Sequence, residues 1–290
     1  MTTIRAFINR HPLLAYYTLA FAISWGGFLM VVGSGGFPGT QEQLETLLPF
    51  VAWAMLAGPS VAGILMTGLV HGRAGFRELL SRLLRWRVGA RWYAVALLTA
   101  PLLAAAVLFA LSLSSPIFTT DDKGTVLLVG IAAGLTTVFE ELGWTGFATP
   151  TLLRLRHGVL STGLIVGLLW GAWHLLQISW VSSSYSAALP LALFLPLYLF
   201  CAVAQLTAYR VLMVWVYERT NGSLLVATLM HASLTASTVF IFTPEATGVA
   251  FLTYILVLAA ALWVVVGAVA LANGGHLSRQ PQQPLRRRVA

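Results

Sequence analysis

The chain has 290 residues, of which 58% are hydrophobic and only 9% charged, with a mean hydropathy of +0.84; this composition leaves no soluble stretch long enough to fold alone and implies a polytopic membrane protein. Its net charge of +8 is scattered over separate short segments rather than gathered on one domain, which argues against a nucleic-acid partner and for anionic lipid headgroups. A single cysteine, Cys201, excludes an intrachain disulfide framework and a Cys-rich metal site.

A hydrocarbon core about 30 Å thick needs about 20 apolar residues per helix, and eight stretches qualify. They are Leu13 to Gly33, Leu47 to Val70, Trp92 to Leu113, Thr125 to Thr145, Val159 to Trp180, Leu189 to Tyr217, Ser223 to Phe242 and Val249 to Ala272. The first lacks a small-residue cleavage site after it and reads as a true span rather than a removable signal. The Arg-rich segment His71 to Arg91 reads as an interfacial helix, with Trp86 and Trp92 at headgroup depth. The sixth stretch is long enough to be tilted or broken near Pro196. Residues 1–272 thus form one transmembrane helical domain, and 273–290 a disordered basic cytoplasmic tail rich in Gln and Pro.

Charge orients the bundle, because cytoplasmic ends collect Lys and Arg. With the N-terminus inside, sixteen of the seventeen basic residues fall on inner segments and helix ends, Arg210 and Arg219 among them, and only Lys123 falls outside, beside Asp121 and Asp122. An even number of spans returns the C-terminus to the cytoplasm.

Polar residues at membrane depth are the candidates for chemistry, since a charge there costs on the order of 3 kcal/mol on insertion scales. Glu140 and Glu141 lie side by side in the fourth span, His174 in the fifth and His231 in the seventh, while the other four histidines fall at span ends or in loops. Gly163, Gly167 and Gly171 recur every four residues and line one face of the fifth helix for close packing, and His174 follows three residues later. Two carboxylates and two imidazoles on three helices suit either an acid/base site or a metal site in which Glu140, His174 and His231 hold zinc or another divalent ion. A structural hydrogen-bonding role balances a functional one for either histidine alone, but it is the weaker reading for all four groups together. The chain has no H-E-x-x-H, no G-x-S-G, and no aspartates besides Asp121 and Asp122, which sets aside zincin, serine and aspartyl intramembrane proteases.

Through Glu140-Glu141-Leu142-Gly143-Trp144, Trp170-Gly171-Ala172-Trp173-His174 and His231-x-x-x-Thr235, the stretch from Glu140 to about Ser237 resembles the CAAX protease and bacteriocin-processing family of intramembrane endopeptidases, which includes the Ras-converting prenyl-protein protease. The upstream Gly58-Pro59 and the Arg82 to Trp92 segment are also similar. The resemblance implies an eight-helix bundle in the cell membrane with a polar cavity opening toward the cytoplasm, acting on a membrane-embedded or lipidated peptide. It makes Glu140 the general base for water, Glu141 its support, and His174 and His231 ligands of a metal or of the oxyanion; both metal-bound and metal-free water fit that set. Two positions depart from the family pattern. Thr145 stands where an arginine is usual, which removes a cation that could hold a glutamate or a substrate carboxylate, and Thr235 stands where asparagine is usual, leaving one hydroxyl for an oxyanion.

These departures keep a catalytically silent scaffold or immunity-type protein as an alternative. A proton-coupled transporter is weaker, because no matched pair of broken helices is evident. The Ala, Val, Leu and Arg bias with a single Lys suggests a GC-rich bacterial source.

Overall fold

Helices account for every regular element among the residues described by the computed structural model, which are 2–118, 123–275 and 277–278. Asp121, Asp122, His276 and the tail from Arg279 onward lie outside the described residues. A short α1 (Thr2–Arg10) precedes α2 (Pro12–Val32), α3 (Gln41–Leu83), α4 (Ala90–Ser112) and α5 (Lys123–Gly143). A π-helical turn (Trp144–Ala148) carries α5 into α6 (Thr149–Arg154), followed by α7 (Val159–Trp173), α8 (Leu175–Ser186), α9 (Leu191–Arg219) and α10 (Leu224–Thr235). A second π-turn (Ala236–Ile241) and α11 (Gly248–Ala272) complete the order. Among the described residues seven helices are long and apolar enough to cross a membrane, and the number is eight if the bent pair α7 and α8 counts as one span. The protein is an all-α polytopic membrane protein.

Three expectations about the spans need correction. The fifth span is not one straight helix but bends by 58° between α7 and α8, with His174 at the break. The sixth is not broken at Pro196, because α9 runs through it. The fourth stretch does not stop at Thr145 but runs on through the π-turn and α6 to Arg154, so at about 1.5 Å per residue Glu140 and His174 both lie roughly 21 to 23 Å from the arginine-bearing end. The Arg-rich segment after His71 is the continuation of α3, redirected at Gly72, whose φ of 58° and ψ of −149° suit glycine. Trp86 is exposed, whereas Trp92 is buried edge-on against Trp215.

Proline inside a helix removes one N–H and frees the carbonyl four residues earlier, which apolar surroundings punish unless another donor replaces it. Two neighbouring serines do so. Ser24 Oγ donates to Met55 O, the carbonyl freed by Pro59, at 2.6 Å, and Ser233 Oγ donates to Leu97 O, freed by Pro101, at 2.8 Å. The first bond ties α2 to α3, and the second ties α10, which carries His231, to α4.

Close helix crossings depend on missing side chains. A Cβ at Gly163, Gly167 or Gly171 would meet Val211 Cα at 2.6 Å, Thr207 Cα at 2.7 Å or Val203 Cγ1 at 3.0 Å, so the glycine stripe of α7 lies against α9 in antiparallel register. Gly63 of α3 and Gly143 of α5 make the second such crossing, with a Cβ on Gly63 reaching 2.8 Å from Gly143 Cα. At the arginine-bearing end, Arg219 Nη2 donates to Asn273 Oδ1 at 2.7 Å, and Val159 N donates to Ser278 Oγ at 2.8 Å.

Gly167→Val should destabilise the bundle by about 1–3 kcal/mol, because the added branch meets backbone. Gly26→Ala, where nothing lies within 4 Å, should be neutral or slightly stabilising. Unfolding by SDS titration in mild detergent reads both.

Candidate active site

Glu140 and Glu141 leave α5 on different sides and do different things. Glu141 is fully buried, and its carboxylate receives Arg210 Nη1 on Oε2 at 3.0 Å and Arg210 Nη2 on Oε1 at 2.9 Å. His231 Nδ1 sits 2.8 Å from Oε1, and the Thr145 hydroxyl donates to Oε2 while accepting from Arg210 Nη1 at 3.3 Å. A carboxylate held by a guanidinium offers acceptors only, so the imidazole presents Nδ1–H and its other nitrogen, Nε2, stays out of this network.

Arg210 was grouped with the inner helix ends; it is instead fully buried within α9, with its guanidinium carbon 4.2 Å from the Trp170 ring centroid. That position also changes the consequence of Thr145. The cation missing five residues after Glu140 arrives from α9, and Thr145 leaves room for it.

Glu140 faces the other way, onto a cavity of about 680 Å³, and is 7% exposed. Its Oε2 accepts from Trp170 Nε1 at 2.8 Å and, more weakly, from Trp144 Nε1 at 3.4 Å, which leaves Oε1 outside these bonds. His174 Nδ1–H donates to Trp170 O at 2.9 Å, taking the carbonyl that its own backbone N–H would use in a continuous helix. That backbone N–H shifts to Gly171 O at 3.1 Å, and the helix bends there. Trp170 is therefore the hub of the site. Its indole holds Glu140, its carbonyl holds His174, and its ring meets His231 edge-on at 4.8 Å between centroids. Nothing in the sequence singled out Arg210 as a site residue, and Trp170 was visible only as part of the Trp-x-x-x-His spacing.

Glu140, His174, His231 and Thr235 all line the same cavity, together with Thr136, Thr137 and Gln177, while Glu141 stands behind it. Both π-turns begin next to this cluster, the first three residues after Glu141 and the second immediately after Thr235. Among the described residues no group of three or more His, Cys, Asp or Glu side chains is placed to hold a metal ion. Within the trio Glu140, His174 and His231, one Glu140 oxygen is held by indoles and His231 is committed through Nδ1 to Glu141.

Residues 122–237 match the family model described as type II CAAX prenyl endopeptidase, Rce1-like, and this range contains Glu140, Glu141, Trp170, His174, Arg210, His231 and Thr235. This segment resembles the Rce1-like family. A CAAX prenyl protease 2 from Methanococcus maripaludis is 25% identical over 115 residues, covering 39% of this chain and 39% of that protein. The similarity thus spans well under half the length of the curated relative. The matched segment contains every residue of the polar network around Glu140 and Glu141.

The cavity extends from Glu140 away from the arginine-bearing ends. Its walls use the N-terminal halves of α3, α9 and α11 and the segment after His231, reaching Leu48, Tyr198, Phe251 and Thr243.

Arg210→Met should lower stability by about 3–5 kcal/mol by leaving Glu141 buried without its cation. The double variant Arg210→Met, Glu141→Leu should recover a large part of that loss, which a double-mutant cycle of detergent unfolding measures.

Proposed function

We propose that the protein is an intramembrane endopeptidase that hydrolyses a peptide bond of a membrane-anchored or lipidated polypeptide with water activated by Glu140. The observation that carries this reading is the convergence of Glu140 from α5, His174 from the α7–α8 break, and His231 and Thr235 from α10 on one cavity within the segment that matches the Rce1-like family model. A prenyl endopeptidase, by the name of its family, cuts prenyl-bearing chains; for this protein the supported class is a membrane-anchored substrate.

In this mechanism Glu140 Oε1 takes a proton from water, whose oxygen adds to the scissile carbonyl carbon. His174 Nε2 accepts from that water and fixes its direction, since Nδ1 is tied to Trp170 O. The developing oxyanion receives the Thr235 hydroxyl, while His231, held through Nδ1 by Glu141, forms the wall beside Thr235. Glu140 then delivers its proton to the leaving nitrogen as the C–N bond breaks. Glu141 and Arg210 touch none of the reacting atoms; they hold the His231 ring in one orientation. No step in this scheme calls on a metal.

Glu140→Gln preserves the acceptor for Trp170 and should lower single-turnover cleavage of an internally quenched peptide in proteoliposomes by about 10²–10⁴-fold at near wild-type stability. Thr235→Val should cost about 10²-fold through the lost oxyanion donor. Chelation by 1,10-phenanthroline should leave the rate unchanged. Cleavage that survives Glu140→Gln in full would overturn this function.

A further inference from the structure

The neutral polar groups on the cavity wall divide by what they already bond. One turn before Glu140, Thr136 donates to Ala133 O and Thr137 to Gly134 O, both at 2.7 Å. Thr238, three residues past Thr235, donates to Leu234 O at 2.9 Å, and Tyr254 donates to Phe242 O at 2.9 Å. These hydroxyl protons are spent inside the protein. Two carboxamides differ. Gln177 on α8 and Gln205 on α9 are half-buried in the same wall, and neither side chain has a hydrogen-bond partner among the described residues.

A glutamine at membrane depth is ordinarily matched by a polar group on a neighbouring helix. These two are not, so their partners come from whatever fills the cavity. Both stand near the reacting groups. Gln177 follows His174 by three residues, about one helical turn, and Gln205 lies two residues past Val203, the residue packed against Gly171. Tyr185 and Tyr198 also line the cavity, each with one hydroxyl, but lie roughly 10 to 12 Å farther along the same two helices.

A polypeptide drawn into this cavity gives up the water on its main chain, and every peptide group then needs a match for its N–H and its C=O. A carboxamide carries the complementary pair, an acceptor oxygen and a donor NH2, in one side chain. We propose that Gln177 and Gln205 hold the main chain of the substrate beside Glu140, one peptide group each, so that this stretch is recognised by its backbone and its side chains only rest on the apolar wall. Neither glutamine touches the reacting atoms; both set where the scissile bond lies. The inference rests on the hydrolytic reading for what occupies the cavity.

The test uses the internally quenched peptide in proteoliposomes. Gln177→Leu and Gln205→Leu should each raise the half-saturating peptide concentration about fivefold, the weight of one hydrogen bond, with little change in the maximal single-turnover rate. The double variant should raise it about 25-fold, because the two peptide groups are separate. Gln177→Met and Gln205→Met serve the same purpose should a leucine variant fail to fold. A series of peptides in which an ester oxygen replaces one backbone N–H at a time should bind wild type several-fold more weakly at two of the bonds. Gln177→Leu should lose sensitivity to one of these bonds alone, and Gln205→Leu to the other alone. Ester penalties that persist unchanged in both variants would overturn the inference, as would variants that lower the maximal rate at unchanged half-saturation; either result leaves Glu140-dependent cleavage standing. If the peptide is not cut, the same comparisons are read from the fluorescence change on its binding, and the hydrolytic reading alone is lost. A peptide neither cut nor bound overturns both.

Discussion

The Arg210–Glu141 pair sets the terms on which the rest of this bundle is built. Two opposite charges with no exposed surface are tolerable in apolar surroundings only when nearly every lone pair and proton is matched, and here the carboxylate accepts from both terminal guanidinium nitrogens, an imidazole and a hydroxyl. Meeting that demand draws α5, α9 and α10 to one point. The pair contributes little net stability for its size, but a neighbour that displaced any partner would leave a buried charge exposed to hydrocarbon, so the geometry has few alternatives. His231 inherits its ring orientation from this arrangement, and Trp170 inherits its place beneath the guanidinium.

The same rule, that no backbone group goes unmatched in lipid, explains the irregular places. Pro59 and Pro101 would each leave a bare carbonyl, and Ser24 and Ser233 answer them from adjacent helices. His174 goes further by spending its side chain on the Trp170 carbonyl, which bends the helix and turns the imidazole into the cavity wall. The π-turns after Glu141 and Thr235 belong with these, since a widened turn re-aims side chains next to a site. Irregular backbone and chemistry coincide because both need groups that ordinary helix packing would hide.

What could be seen in advance follows from chemistry that is local along the chain. The spans were legible as apolar runs, and α2, α4 and α11 fall close to their expected limits. Glu140, Glu141, His174 and His231 stood out because ionisable groups are rare in such runs. The glycine stripe foretold a close crossing, which the α7–α9 packing realises, though its partner helix was not legible. Arg210 escaped notice because an arginine near the end of a long span looks like any other inner-end charge until the depth of its neighbours is known.

The sequence by itself thus determined which residues are costly to bury and where helices run, because hydropathy and polar placement are properties of each segment alone. Only the tertiary structure decided which costs are answered by which partners. It paired Glu141 with Arg210 and left Glu140 to the Trp170 indole and the cavity, although the two glutamates are neighbours in the chain. It also set the direction in which that cavity runs. The physical reason is that successive residues on a helix point about 100° apart, so adjacent carboxylates face different neighbours, and those neighbours come from distant helices brought together by packing.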